Sequence, residues 1–372
     1  MTVSGLLAAA AARRKLLVAE LLELSAHDAP SADPAASSGA AAWLEERLAA
    51  LGADVERHTT AGGAVLEACL GRGGDSPLLV LCHYDTVWPA GTAAARPARE
   101  DGGVVSGPGV FDMRGGIVAA LAGVEIAEAA RPVRVLLTPD EETGSGGSAA
   151  LICSRGAEAQ LVIVPEPPLS GGALKTARKG WASYRLSVAG RSAHAGLEPE
   201  KGASAIDELV DRLLDVRALA RPDAGTRVNA GLVGGGSAPN VVPATAWVDL
   251  DVRATTRAEQ ERVHRALSRL TAERDGTALE LETRVVRPPM ERTPSIAAAI
   301  ARAREIAAEL GMKLEEGAAG GASDGNLIAP LGTPVLDGLG PDGGGAHALD
   351  ERVRVASLIE RAALVAALVR CW

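Results

Sequence analysis

Apolar residues follow two rhythms in the first half of this chain. Over 6–24 they recur at helical spacing and predict an amphipathic helix. A Ser/Ala/Pro-rich loop over 25–38 follows, then a second helix over 40–51, stopped by Gly52. Residues 78–82 read Leu-Leu-Val-Leu-Cys without a polar break, the pattern of a strand buried on both faces. A helix over 115–130 and strands over 133–137 and 161–164 come next. Strands alternating with helices predict an α/β fold with a mainly parallel, helix-covered sheet.

The middle of the chain changes pattern. Residues 181–188 alternate as a strand, and 203–220 carry a helical stripe at Ile206, Leu209, Val210, Leu213 and Leu214. Strands over 226–233 and 244–253 flank the loop 234–240, and a helix over 257–272 and a strand over 278–286 complete the run. The order β-α-β-β-α-β is the ferredoxin-like arrangement, so 178–287 reads as a small domain inserted into a larger one made of 1–177 and 288–372. From Pro288 onward α/β character returns, with Gly-rich loops at 317–325 and 338–345.

Composition narrows the function classes. The 372 residues are 47% apolar, with a net charge of −9 and no long basic tract, which argues against disorder and against nucleic acid as a partner. Residues 6–12 are apolar, but Arg13, Arg14 and Lys15 follow them instead of preceding them, the reverse of a secretory signal. No long uncharged apolar run predicts a membrane span. Cys69, Cys82, Cys153 and Cys371 are scattered, as expected of reduced thiols in a cytoplasmic protein.

Candidate chemistry gathers where strands end. His83 and Asp85 follow the strand 78–82 with their side chains on one side, the pattern of a metal-binding imidazole held by a carboxylate, or of a turn with an Asp cap. Asp112 stands before the helix at 115, as a metal ligand or as an N-cap. Asp140, Glu141 and Glu142 follow the strand 133–137; three adjacent acids repel unless a cation is near, or they form a solvated loop. Glu166 follows the strand 161–164, and His347 follows a glycine run. Each is ambiguous alone; together they put an acid or imidazole at the carboxyl ends of several strands, the edge where open α/β sheets bind ligands. His27, His58 and His264 have no clustered partners and read as surface residues, and Cys82 as a packing residue.

The strings LCHYDTV (81–87), GPGVFDMRGG (107–116), PDEETGS (139–145), VPEPP (164–168), GRSAHAG (190–196), PNVVPA (239–244) and GGGAHALDE (343–351) resemble the carboxypeptidase G family. That family also includes acetylornithine deacetylase and succinyl-diaminopimelate desuccinylase. The resemblance runs from about residue 15 to the end and implies a two-zinc catalytic domain with an inserted lid that dimerises. Asp112 would bridge two Zn²⁺, with His83 and Glu166 completing one site and Glu142 and His347 the other; Co²⁺ or Mn²⁺ could substitute. Glu141 would be the general base and Asp85 the partner of His83. His194 would stabilise the oxyanion from the partner subunit, Asn240 would bind near the same carbonyl, and Arg253 would grip the substrate carboxylate. Lys175, aligned after a one-residue shift, and Arg287 lie near basic positions of glutamate carboxypeptidases. Met113 and Arg114 depart from the family pattern at positions that bind no metal, and the Asp112–Met113 peptide is expected to be cis.

The implied activity is metal-dependent hydrolysis of the amide to a C-terminal amino acid; SDGN (323–326) and LDGLGP (336–341) resemble the glutamate carboxypeptidase branch, which implies N-acyl- or peptidyl-glutamate substrates, folate-like ones included. The rivals are an N-acyl-amino-acid deacylase and a silent metabolite-binding relative, which would lack Glu141 or a ligand.

Overall fold

The computed structural model describes residues 3–31, 33–71, 76–128 and 131–372. The chain forms two compact units: Met1–Ala177 with Arg292–Ala319 and Ser323–Trp372, and Arg178–Glu291 with Gly320–Ala322. The longer strands in chain order are β1 Asp54–Thr60, β2 Gly63–Leu70, β3 Leu78–His83, β4 Val133–Thr138, β5 Leu161–Val164, β6 Leu174–Arg178, β7 Gly180–Ala189, β8 Arg227–Gly235, β9 Thr245–Ala254, β10 Ala278–Arg287, β11 Glu316–Ala319 and β12 Val335–Asp337.

In the first unit an eight-stranded sheet runs β1-β2-β4-β3-β5-β12-β6-β11. Its centre, β4-β3-β5-β12, is parallel, as the continuous apolar runs predict. Antiparallel pairs β1–β2, β2–β4 and β12–β6 flank it. Leu78, Leu79, Val80 and Leu81 of β3 are completely buried, which is why they alternate with nothing polar. The helix Gly115–Ile126 is apolar nearly all round and buried, and its small residues admit close neighbours: a Cβ on Gly123 would lie 2.7 Å from Val365 of the helix Val355–Cys371. Gly116 is tighter still, since a Cβ there would stand 1.8 Å from the Pro165 carbonyl oxygen. Only glycine lets this helix start against the segment that carries Glu166.

Two helices differ from expectation. The helix expected over 6–24 is two, Val3–Ala12 and Arg14–Ser25. The chain turns at Arg13, whose N–H bonds to Ala10 O, and Arg13 and Arg14 face Glu125 and Glu100. The helix expected to reach Ala130 ends at Ile126, and residues 129 and 130 lie outside the described residues.

The second unit is a four-stranded antiparallel sheet, β8-β9-β7-β10, with helices Ala205–Ala218 and Arg257–Leu267. Leu209, Val216, Val263 and Leu267 pack on Tyr184, Leu186, Val248 and Leu250. Ser204 caps the first helix by accepting from Asp207 N, and Thr256 caps the second by accepting from Glu259 N. The second helix stops at Leu267, short of the expected 272: Arg269 N and Leu270 N bond back to Ala266 O and Leu267 O, and beyond them the Glu273 and Arg274 amides donate to the buried Glu208 carboxylate. The stripe expected over 203–220 is divided: Leu209 faces the core, while Ile206, Val210 and Leu214 are exposed. No helix among the described residues is long and apolar enough to cross a membrane.

Candidate metal centre

The parallel centre of the sheet delivers the site. β3 ends at His83, β4 runs into the Glu141–Thr143 turn, and β5 precedes Glu166. Asp112 lies in the irregular stretch before the helix at Gly115, and its peptide to Met113 is cis. His347 sits in a turn with φ +61°, after the Gly343–Gly344 strand.

Ligand atoms of His83, Asp112 and Glu166 lie within 4.8 Å of one another, as do those of Asp112, Glu142 and His347. Asp112 belongs to both triads and uses one oxygen in each. Oδ1 stands 3.3 Å from His83 Nε2, and Oδ2 stands 3.5 Å from His347 Nε2. His83 Nε2 is also 3.4 Å from Glu166 Oε1, and His347 Nε2 is 3.2 Å from Glu142 Oε1. The first triad is the inner one, with His83 2% exposed; the second is outer, with the His347 side chain 49% exposed.

Asp85 holds two parts of this arrangement. It lies 3.4 Å from His83 Nδ1, and its oxygens accept from the backbone N–H of Glu141 and Glu142, each at 3.1 Å. Ser31 donates a further bond to it at 2.5 Å. Asp140, the first acid of the run, turns away and accepts from Gly147 N and Ser148 Oγ, so it pins the loop instead of joining the cluster.

The electrostatics follow from carboxylates crowded around two imidazoles. Burial pulls the His83 pKa down, but Asp112, Asp85 and Glu166 overcome it and hold the imidazole well above its ordinary value. His347 is pushed up to about 10 by Asp112 and Glu142. Burial works to raise the Asp112 carboxyl, yet His347 and His83 bring it below the usual range. Burial raises Glu142, with the Asp112 charge adding to it. Cys82 is a buried thiol pushed far up by desolvation, which makes it a packing residue.

These residues fit a pair of divalent ions. His83 Nε2 and Asp112 Oδ1 are buried atoms with no hydrogen-bond partner, close but misaligned. Buried polar atoms left that way cost stability unless something else satisfies them. An imidazole-and-carboxylate set with a shared carboxylate suits zinc-like ions.

Lys175 Nζ lies 3.9 Å from Glu166 Oε2, beside the inner triad. His194, Asn240, Arg253 and Arg287 belong to the second unit. His194 and Asn240 share a loop pair, with Ala195 N bonded to Asn240 O at 2.9 Å. His194 Nδ1 accepts from Gly196 N and Leu197 N, each at 3.1 Å, which places the proton of the neutral ring on Nε2. Arg253 spans Asp251 with Nε–Oδ1 and Nη2–Oδ2 bonds of 2.9 Å and lies over Trp181. Arg287 is almost wholly buried at the end of β10.

Sequence reasoning gave no role to Glu351, the last residue of the GGGAHALDE string, which accepts four N–H donors from the site's loops. It also treated His58 as a lone surface residue. Antiparallel pairing of β1 with β2 instead places His58 at 3.0 Å from Glu67 and 3.6 Å from Glu56, a third acid–imidazole group. Glu67 is already engaged by Arg155 and Arg134, at 2.8 and 3.0 Å, so the charge there is balanced by the protein. His264 is likewise partnered, stacked on Tyr184.

A compact α/β unit with two carboxylate–imidazole triads sharing one aspartate defines a metallohydrolase. Residues 79–370 match Peptidase family M20/M25/M40, and the chain belongs to it. It is 29% identical to carboxypeptidase G2 of Pseudomonas sp. (strain RS-16), over 88% of this chain and 82% of that protein. It is 31% identical to a succinyl-diaminopimelate desuccinylase of Xanthomonas campestris, over 90% of this chain and 93% of that protein. Among solved structures it resembles the aminopeptidase PepT of Bacillus cereus, with a TM-score of 0.77, 23% identity and coverage of 96% and 98%. The chain is therefore an enzyme of the peptidase and amidohydrolase kind, with the catalytic and inserted units of that fold.

Proposed function

We propose that this enzyme uses two Zn²⁺ to hydrolyse the amide bond to a C-terminal amino acid, glutamate being the favoured residue. The observation that carries the reading is the Asp112 carboxylate, shared between two ligand triads. His83, Asp112 and Glu166 would hold one ion; Asp112, Glu142 and His347 the other. Bound there, such ions polarise a carbonyl and make water a better nucleophile at neutral pH.

The chain's own groups do the rest. Glu141, whose backbone is fixed by Asp85, takes a proton from water and delivers it to the leaving amine. Asp85 keeps the His83 ring oriented. His194 would offer its Nε2–H to the developing oxyanion in the active site of the partner subunit, a role its hydrogen-bonded Nδ1 supports. Asn240, paired with the same loop, binds near that carbonyl. Arg253 takes the free carboxylate in a two-pronged contact. Lys175 and Arg287, both buried, would meet the glutamate side chain.

The lid, 178–287, would pair two subunits. Ile206, Val210 and Leu214 of its first helix and Leu232 and Val233 of the edge strand β8 are exposed apolar residues, the kind of surface and open edge that a partner covers.

A second reading, an N-acyl-amino-acid deacylase, shares every group at the metal centre and is favoured by the desuccinylase relative. The two separate in a panel of N-acyl- and peptidyl-glutamates against N-acetylornithine and N-succinyl-diaminopimelate, measured as kcat/KM on zinc-loaded protein. The glutamates should turn over fastest. Faster turnover of either other substrate rejects the glutamate assignment and leaves the hydrolase.

A further inference from the structure

Glu351 neither binds an ion nor carries a proton in the proposed reaction, yet it is among the most fully engaged side chains of its unit. It is 1% exposed. Its Oε1 accepts from the backbone N–H of Phe111 at 3.0 Å and of Asp112 at 3.1 Å. Its Oε2 accepts from Gly109 N at 2.8 Å and from the Trp88 indole at 3.0 Å. Its backbone joins the same pieces: Gly107 N donates to Glu351 O at 3.2 Å, and Glu351 N donates to Ala348 O at 3.1 Å. Arg352–Arg354 pairs antiparallel with Val104–Ser106, so a sheet ladder runs directly into this clamp.

The two imidazoles of the metal centre are supported differently. His83 Nδ1 has Asp85 behind it. Among the described residues, no hydrogen bond reaches His347 Nδ1; the only polar partners of its ring are the two acids of the outer triad, both on Nε2. Its orientation must then come from the backbone of its turn, which Ala348 N closes on Gly345 O at 2.9 Å, and Glu351 N closes the next turn on Ala348 O, so the two turns are chained through Ala348.

We propose that Glu351 is a positioning residue for the outer ion. It locks the 107–112 segment and the His347 turn together, so that Asp112 Oδ2 and His347 Nε2 already stand 3.5 Å apart as ligands. The inference rests on the two-ion reading. Glu351→Gln isolates the effect, because the amide NH₂ must face one pair of N–H donors and oppose them, while volume is kept.

The test is a Co²⁺ titration of metal-free protein, followed by visible absorption and chelator competition, with the melting point of the metal-free protein measured in parallel. Wild type should bind two ions. E351Q should bind the second ion about 10–100-fold more weakly, the usual penalty for losing a residue behind a ligand, and the first, which shares Asp112 but also has His83 and Glu166, should weaken clearly less. The spectrum of its retained ion should match that of His347→Ala. E351D, with a shorter carboxylate, should weaken the same ion less, and it replaces E351Q in the titration if that variant does not fold. Trp88→Phe, which removes a donor outside both ligand segments, should leave both Kd values unchanged. Wild-type constants for both ions in E351Q and E351D overturn the inference. So does equal weakening of both ions together with a lower melting point of the metal-free protein, which marks a structural role alone. A wild type that binds fewer than two ions ends the two-ion reading and this inference with it.

Discussion

The metal centre of the first unit and the surface of the second treat charge in opposite ways. In the second unit, acids sit beside their own arginines near solvent: Asp249 on Arg185, Glu259 on Arg262, Glu273 on Arg212. Each of these acids has its pKa lowered, Glu259 to about 2, by the guanidinium it faces. In the first unit His83, Asp85, Glu141 and Glu166 are buried together, and it is the imidazoles that are driven upward. Charge balanced by a neighbour makes surface structure of modest worth. Acid in excess of nearby base, away from water, selects for an external cation. Substitutions in the two units should therefore differ in size and in kind.

The largest effect belongs to Glu141→Gln. Losing a proton carrier should lower kcat by about a hundred- to ten-thousand-fold with metal content unchanged. Activity within tenfold of wild type would remove Glu141 from the mechanism. His83→Ala comes next: it leaves the buried Glu166 and the part-buried Asp112 without their imidazole, so the metal-free protein should lose about 3 kcal/mol in a urea melt, and the variant should fail to take up the inner ion. His347→Ala, on the half-exposed side, should keep about one ion per chain and melt close to wild type. Equal stability losses in the two variants would erase the distinction between inner and outer halves. Asp85→Asn should weaken metal binding about 10–100-fold, since an amide can no longer accept on both oxygens.

The smallest effect belongs to the second unit. Glu259 has a folded pKa near 2 against an ordinary 4.5, so its contribution is present above about pH 4.5 and is lost as pH falls toward 2. Glu259→Gln should cost no more than about 1 kcal/mol at pH 7 and flatten the acid limb of the stability curve over that window. A larger loss at neutral pH would show that this unit too depends on its charges.

The strand ends were legible because buried parallel strands leave an unbroken apolar signature, and the first polar residues beyond each strand must lie at the sheet edge. His83 and Glu166 are close to their strands in sequence, so their placement came from local pattern. The role of Asp140 was not legible: three acids in a row look equivalent until the loop folds one back on Gly147 and Ser148. The neighbours of His58 depend on the register of β1 against β2, and Glu351 depends on amides some 240 residues earlier. The bend at Arg13 arises from packing and ion pairs that helical periodicity does not encode.

The Arg253–Asp251 pair has a consequence for selectivity. In the role proposed for Arg253, its guanidinium, already held by a resident carboxylate, would be an exchange site where an arriving anion is weighed against Asp251 and not against water. An uncharged ligand of the same shape has nothing to trade and leaves the arginine latched to its own strand. Asp251→Asn should thus tighten binding of carboxylates and of poorer anions alike, narrowing the margin between them while adding affinity.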